Sequence, residues 1–295
     1  MRLPDFVIIG AAKCGTSTLY HYLMRHPQVF MSTPKEPSFF AVDGMYGKGL
    51  EWYASLFEAA TPDQVCGEAS TNYTNYPFYQ HSAERLASHL PRAKLIYLMR
   101  EPVERAYSHY VQLIKNARAR NPEHKVEETF EQAIQRSSRV LDASDYMLQI
   151  EQYLRFYQRE AFLFLLLSDL RERPREALRR VCEFIGVDSE FDLVANNAVV
   201  SNQTQADAYW VVRSRLMEPI LAIPGVKALA GLAPAGLRDW IYAGVRCLPY
   251  RNKVEAEYLP PQMVPETREL LRGRYMDMTN ALEELLGRDL SEWRI

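Results

Sequence analysis

Five short apolar stretches, residues 6–9, 29–31, 65–67, 94–99 and 161–167, lack the polar alternation of a half-exposed strand. Continuous runs of that length, bounded by glycine, proline or charge, predict strands buried on both faces, as in a parallel sheet. Between them the period changes. Leu19, Tyr22 and Leu23 repeat at helical spacing, and so do Val103, Ala106, Tyr107, Tyr110, Val111 and Ile114. Helical periods also cover residues 50–57, 126–136, 144–158 and 175–185, the last closed by Gly186 as a C-cap, and a long segment holding Leu271, Tyr275, Met278, Leu282 and Leu285. His26 stands before Pro27 and marks the end of the first helix. Strand–helix alternation of this kind predicts a three-layer α/β/α fold on a central parallel sheet, in one domain over residues 1–295. Residues 195–250 read differently, as helices broken at Pro219, Pro224 and Pro234.

The turn after the first strand carries the first chemical signal. Gly10 and Gly15 have the G-x-x-x-x-G spacing of a phosphate-binding loop, but Thr16 and Ser17 follow where a nucleotide triphosphatase has lysine and then serine or threonine. The lysine, Lys13, lies inside the loop. Its ammonium can reach the bridging oxygen of a 5′-phosphoryl group, while loop amides and the free N–H groups of the helix start converge on the anion. Thr16, Ser17 and Thr18 add hydroxyls at the helix start. Cys14 sits in the same loop and reads as a small residue that fits the turn, the alternative being a thiol whose pKa the dipole and Lys13 lower.

Three more stretches end at the same edge of such a sheet. Pro34 and Pro37 stiffen the loop around Lys35 and Glu36. The third strand leads into Glu68-Ala69-Ser70-Thr71-Asn72-Tyr73, and the fourth ends in Arg100-Glu101-Pro102, with proline suited to the first turn of a helix. Ser108 then lies roughly 9 Å along that helix from Pro102, so it and Arg100 can reach one ligand group. Arginine suits a phosphate because its planar fork binds two oxygens and keeps its charge.

Three motifs in order, P-D-F-V-I-I-G-A-A-K-C-G-T-S-T-L-Y-H-Y-L, P-K-E-P-S-F-F and L-I-Y-L-M-R-E-P-V-E-R-A-Y-S-H-Y, resemble the sulfotransferases that use 3′-phosphoadenosine 5′-phosphosulfate (PAPS). The branch is the one holding the sulfotransferase domains of heparan sulfate N- and 3-O-sulfotransferases and stand-alone bacterial enzymes. The resemblance covers residues 4–190 and resumes at the C-terminal helix. It implies a P-loop-type fold and PAPS as co-substrate with adenosine 3′,5′-bisphosphate as product; nothing in the sequence requires a metal. It assigns the general base to Glu36, the leaving-group contact to Lys13, and the cradle to Cys14, Gly15, Thr16, Ser17 and Thr18. Arg100 and Ser108 fall to the 3′-phosphate, and Arg251 and Lys253 to a segment closing over the nucleotide. Lys35, Glu68 and Tyr146 are candidate acceptor contacts, although Glu68 can equally accept hydrogen bonds from loop amides. Ala69 stands where several glycan-modifying relatives have lysine, which weakens the case for a glycosaminoglycan acceptor. Residues 195–250 then read as a helical lid on the acceptor side whose apolar content suits a lipophilic or aromatic acceptor, or as ordinary packing against the sheet.

Charge narrows the partners. Thirty-five Lys and Arg against 37 Asp and Glu give a formal charge of −2, with no basic block, so electrostatic capture of nucleic acid has no support. Cys14, Cys66, Cys182 and Cys247 show neither zinc-ligand spacing nor a disulfide framework. A core strand starting near residue 5 leaves no room for a signal peptide, and no apolar run has the length of a membrane span; a cytoplasmic, bacterial-type enzyme is the expectation. Two rivals share the loop: a small-molecule kinase using ATP and magnesium, and a nucleotide-binding protein without turnover. Neither acceptor identity nor oligomeric state is legible.

Overall fold

The first strand, β1 (Phe6–Gly10), is buried along its whole length, as an apolar run flanked by partners on both sides should be. The structure is a computed structural model that describes residues 1–120, 128–195 and 260–294. From β1 the chain passes through α1 (Thr16–Leu23), β2 (Val29–Met31), the short α2 (Asp43–Tyr46), α3 (Leu50–Ser55) and β3 (Val65–Ala69). It continues through a 3-10 turn (Thr71–Thr74), α4 (Ser82–His89), β4 (Lys94–Met99) and α5 (Pro102–Arg120). Then come α6 (Phe130–Arg136), α7 (Arg139–Asp142), α8 (Tyr146–Leu154), β5 (Phe162–Leu166), α9 (Leu167–Glu172) and α10 (Pro174–Ile185); a C-terminal helix spans Pro265–Leu286.

The five strands form one sheet in the order β2-β3-β1-β4-β5, and every pairing is parallel. The predicted α/β architecture on a central parallel sheet is therefore the observed one. Phe6 pairs with Gly67 on one side and with Lys94 on the other, which fixes the register of the centre. Gly67 is required there because the Phe6 ring lies over it: a Cβ at this position would come within 2.1 Å of the ring.

The chain divides into two compact units. One comprises Met1–Asn116, Lys125–Asn197 and Pro260–Ile295, and holds the sheet and all the elements above except the end of α5; the other comprises Ala117–His124 and Ala198–Leu259. The segment expected to form a helical lid, beyond Ala195, lies outside the described residues, as do Arg251, Lys253 and Cys247.

Local chemistry sets the element ends. Thr129 caps α6 by a reciprocal exchange with Gln132, so the described helix starts at Phe130 rather than four residues earlier. Asp145 accepts the Leu148 N–H at 3.0 Å and starts α8 at Tyr146. Gly186, at φ 86°, closes α10 as predicted. Helix α4 is an addition to the expected elements, its apolar face reduced to Ala83 and Leu86.

Close contact of Phe6 with Gly67 makes the centre of the sheet intolerant of added volume. Gly67→Ala should lower the unfolding free energy by about 1–3 kcal/mol, read from the urea midpoint of the full chain. An unchanged midpoint would mean that β1 and β3 separate without cost.

Candidate active site

Parallel strands send all their following loops to one edge, and the candidate groups gather there in the order of the sheet. After β1, residues 11–15 turn back into α1, whose N-cap is Gly15 at φ 91°. The conformation requires glycine twice over, since a Cβ here would also lie 2.8 Å from the Leu167 side chain. With no N-cap side chain to occupy them, the first-turn amides remain available to an anion. Lys13, itself at φ 72°, donates from Nζ to Gln112 Oε1 of α5 at 3.0 Å. Thr16 is buried, Ser17 half-buried and Thr18 exposed.

Cys14 faces inward, against the alternative of an activated thiol. Its thiol is fully buried and is pushed up to about 11 by that burial, against the opposing charges of Arg105 and Arg100. Desolvation outweighs the loop's positive potential, so Cys14 is an inward-facing packing residue beside the Tyr146 hydroxyl, 3.7 Å away, and not an activated thiol.

Arg100 leaves the end of β4, the strand next to β1. Its backbone is held on both sides by one hydroxyl: Tyr146 donates to the Arg100 carbonyl at 2.7 Å and accepts its N–H at 3.2 Å. Tyr146 is wholly buried, so it braces the arginine from below and has no surface to offer an acceptor. The Arg100 guanidinium, still partly exposed, lies 3.5 Å from Glu104, which pairs at 2.6 Å with Arg268 of the C-terminal helix. Ser108, half-buried, follows on α5. Its neighbour His109 is buried beside Arg105, and burial together with the nearby cations holds it well below the ordinary imidazole range, hence neutral.

Glu36 follows β2 in the left-handed region, at φ 61°, with Ser38 at φ 51°. Such backbone persists only where its surroundings over-determine it, and here the segment after β3 does so. The Glu36 N–H donates to Ala69 O at 3.0 Å; its Oε2 accepts the Thr71 N–H at 2.8 Å and the Thr71 hydroxyl at 3.1 Å. Lys35 Nζ lies 2.5 Å from Oε1. Behind them Glu68 is fully buried and accepts three hydroxyls, from Tyr73 at 2.6 Å and from Tyr53 and Ser70 at 2.8 Å. Ser70 Oγ in turn accepts the Ser38 N–H at 2.9 Å, and the Tyr73 hydroxyl accepts that of Phe40 at 3.4 Å. Glu68 thus anchors the Glu36 loop through hydroxyls, and its burial removes it from direct acceptor contact. Burial raises its carboxyl to about 7, the hydroxyls opposing and the neighbouring Glu36 charge adding to the rise.

Tyr53, Arg105 and Gln112 are given no role by motif, while Ser70, Thr71 and Tyr73 stand in the quoted Glu68–Tyr73 stretch without an assigned role. A spacing of hydroxyl residues two and five positions after Glu68 is the available signal; Tyr53 and Gln112 arrive only through the fold. Among the described residues no group of three or more His, Cys, Asp or Glu side chains is arranged to hold a metal, and no helix is long and apolar enough to cross a membrane.

A parallel sheet with a glycine-flanked lysine loop after its central strand, and arginine after the neighbouring one, defines an α/β protein of the P-loop type. Sequence comparison gives the particular family: the sulfotransferase domain model matches residues 3–212, and the chain belongs to that family. It is 39% identical over 146 residues to the membrane-associated sulfotransferase kil1 of Dictyostelium discoideum, covering 48% of this chain and 29% of that protein. It is 28% identical over 207 residues to the bifunctional heparan sulfate N-deacetylase/N-sulfotransferase 4 of Mus musculus, covering 65% and 23%. The chain therefore spans less than a third of the length of these relatives. In fold it is similar over the whole of both chains to the crystal structure of a sulfotransferase from Alicyclobacillus acidocaldarius, with a TM-score of 0.66 at 22% identity.

A carboxyl raised by burial makes stability depend on pH. Protonated Glu68 is favoured in the folded chain, so its contribution is full below its ordinary value of 4.5 and is lost as pH rises through about 7. Glu68→Gln, neutral throughout, should abolish a fall of about 3 kcal/mol in unfolding free energy between those pH values. Identical pH–stability curves for the two proteins would contradict the raised carboxyl.

Proposed function

We propose that this protein moves a sulfuryl group from PAPS to a hydroxyl or amine of a small-molecule, lipid or glycan acceptor by in-line displacement. The observation that carries the reading is the placement of Lys13, Glu36 and Arg100 after β1, β2 and β4, all at the carboxyl edge of one parallel sheet. Gly15 caps α1 without a side-chain hydrogen bond, so the first-turn N–H groups beside Thr16 and Ser17 suit a phosphate-containing ligand.

When bound, PAPS supplies an activated sulfuryl group on a bisphosphate leaving group. Thr16, Ser17, Thr18 and the loop amides would hold its 5′-phosphate, and Arg100 with Ser108 its 3′-phosphate. Lys13 stabilises charge on the bridging oxygen; a preorganised donor in that role is worth about 3–4 kcal/mol. Glu36 takes the acceptor proton, its carboxylate aimed by Thr71 and its backbone by Ala69. Lys35, against the same carboxylate, can orient the sulfuryl oxygens.

Glu36→Gln should leave adenosine 3′,5′-bisphosphate binding nearly unchanged and reduce turnover by roughly 10²- to 10⁴-fold, measured with labelled PAPS and an acceptor found by screening. Retained turnover would overturn the base assignment. Calorimetric titration tests the donor: the bisphosphate should bind ahead of ATP with magnesium, and Arg100→Ala should weaken it far more than adenosine 5′-monophosphate. Preference for ATP would favour a kinase, and equal losses for the two adenosine ligands would remove Arg100 from the 3′-phosphate.

A further inference from the structure

One buried cation takes no part in that scheme. Arg105 lies on α5, five residues after Arg100, and is the largest fully buried side chain among the described residues. A guanidinium cannot shed its proton at accessible pH, so the positive charge is permanent. Its Nε donates to Ser144 Oγ at 2.6 Å, one terminal nitrogen to Val140 O at 2.5 Å, and the other to Ala12 O at 3.4 Å; His109 Nδ1 lies 3.4 Å away. Each of these partners is neutral: a hydroxyl, two carbonyls and an imidazole that burial and its cationic neighbours keep uncharged.

The nearby acids are engaged elsewhere. Glu101 accepts the Val103 N–H and the Glu104 N–H at the start of α5, and Glu104 pairs with Arg100 and Arg268. Among the described residues no carboxylate forms an ion pair with Arg105. Hydrogen bonds satisfy the donors without cancelling the charge, and an uncompensated ion in the interior costs several kcal/mol.

The contact with Ala12 shows where compensation would come from. Ala12 belongs to the loop that turns around Lys13, so the guanidinium lies against the back of the proposed phosphate cradle. Its charge is felt inside the loop, where it opposes the burial-driven rise of the Cys14 thiol more strongly than Arg100 does. Away from water such a field is weakly screened and acts beyond contact distance.

We propose that Arg105 is a buried counter-charge for the anion held by residues 10–15, acting through the loop without touching the ligand. This rests on the reading of that loop as a 5′-phosphate site. It differs from the role given to Arg100, which is confined to the 3′-phosphate. The competing role is mechanical, because the same side chain ties residues 140–144 to Ala12.

Charge and bracing separate when binding is compared across ligands of different charge. In calorimetric or competition titrations, Arg105→Gln should weaken both adenosine 3′,5′-bisphosphate and adenosine 5′-monophosphate by about tenfold or more and leave adenosine unchanged. Arg105→Lys, which keeps the charge and loses the fork, should retain most of the affinity. Ser144→Ala, which removes one brace and no charge, should bind all three ligands like wild type. Circular dichroism checks that each variant folds; if Arg105→Gln does not, the lysine and Ser144 variants still decide. Equal losses for adenosine and the monophosphate, a lysine variant as weak as the glutamine one, or a Ser144→Ala loss matching them would overturn the counter-charge. Wild-type protein that does not distinguish the monophosphate from adenosine would instead overturn the phosphate-loop reading itself.

Discussion

Parallel pairing of β1 with β3 on one side and β4 on the other is the constraint on which the rest of the structure depends. A strand paired in parallel on both sides has no free edge. Its chain must leave at the carboxyl end and return by a crossover, so every loop that follows a strand opens at one edge of the sheet. Residues remote in sequence, Lys13, Glu36, Ser70 and Arg100, are brought to that edge by topology alone. Close fit at the centre follows from the same pairing: the Phe6 ring covers Gly67, which sets the register of the two strands that feed the lysine loop and the Glu68 segment.

Two polar side chains lie behind the loops at this edge, both fully buried and of opposite charge type. Glu68 stands behind the Glu36 loop and Arg105 behind the Lys13 loop. Each is met by neutral hydrogen-bonding groups, hydroxyls for the carboxyl and carbonyls with a hydroxyl for the guanidinium. The difference between them is chemical. A carboxyl can take up a proton when burial makes its charge costly, and Glu68 does so near neutrality; arginine has no such escape. Their cost is offset by geometry, since the Glu68 network holds Glu36 and Ser38 in left-handed backbone that neither would keep unaided.

What was legible in the chain follows from the same physics. Strands β2 and β4 fall on their predicted bounds because an uninterrupted apolar run is its own boundary marker. β3 runs past Gly67 to Ala69 because Glu68, polar by type, is made compatible with the interior by Tyr53 and Tyr73, and Tyr53 comes from α3. Helix α4 has only two buried apolar anchors, Ala83 and Leu86, too few for a periodic signal. The loop lysine, the carboxylate between prolines and the strand-end arginine could be singled out because each rests on local spacing. Cys14, Tyr146 and Arg105 could not be placed, since whether a thiol is activated, a phenol exposed or a guanidinium buried is decided by neighbours from other elements.

Taken as β2-β3-β1-β4, the segments at the carboxyl ends carry Glu36 and Glu68 on one half; on the other are Lys13, Arg100 and the buried Arg105, together with Glu101 at the start of α5 and Glu104, which pairs with Arg100 and Arg268. Lys35 is a cation on the half of Glu36 and Glu68, and it is paired with Glu36 itself. On one half Arg105 lies behind the Lys13 loop, and on the other the Glu36 carboxylate is held by Thr71. The boundary falls between β3 and β1, whose pairing is fixed by Phe6 and Gly67. In the proposed transfer the Lys13 loop and the Glu36 loop lie on either side of that boundary, after β1 and after β2, with β3 between the two strands.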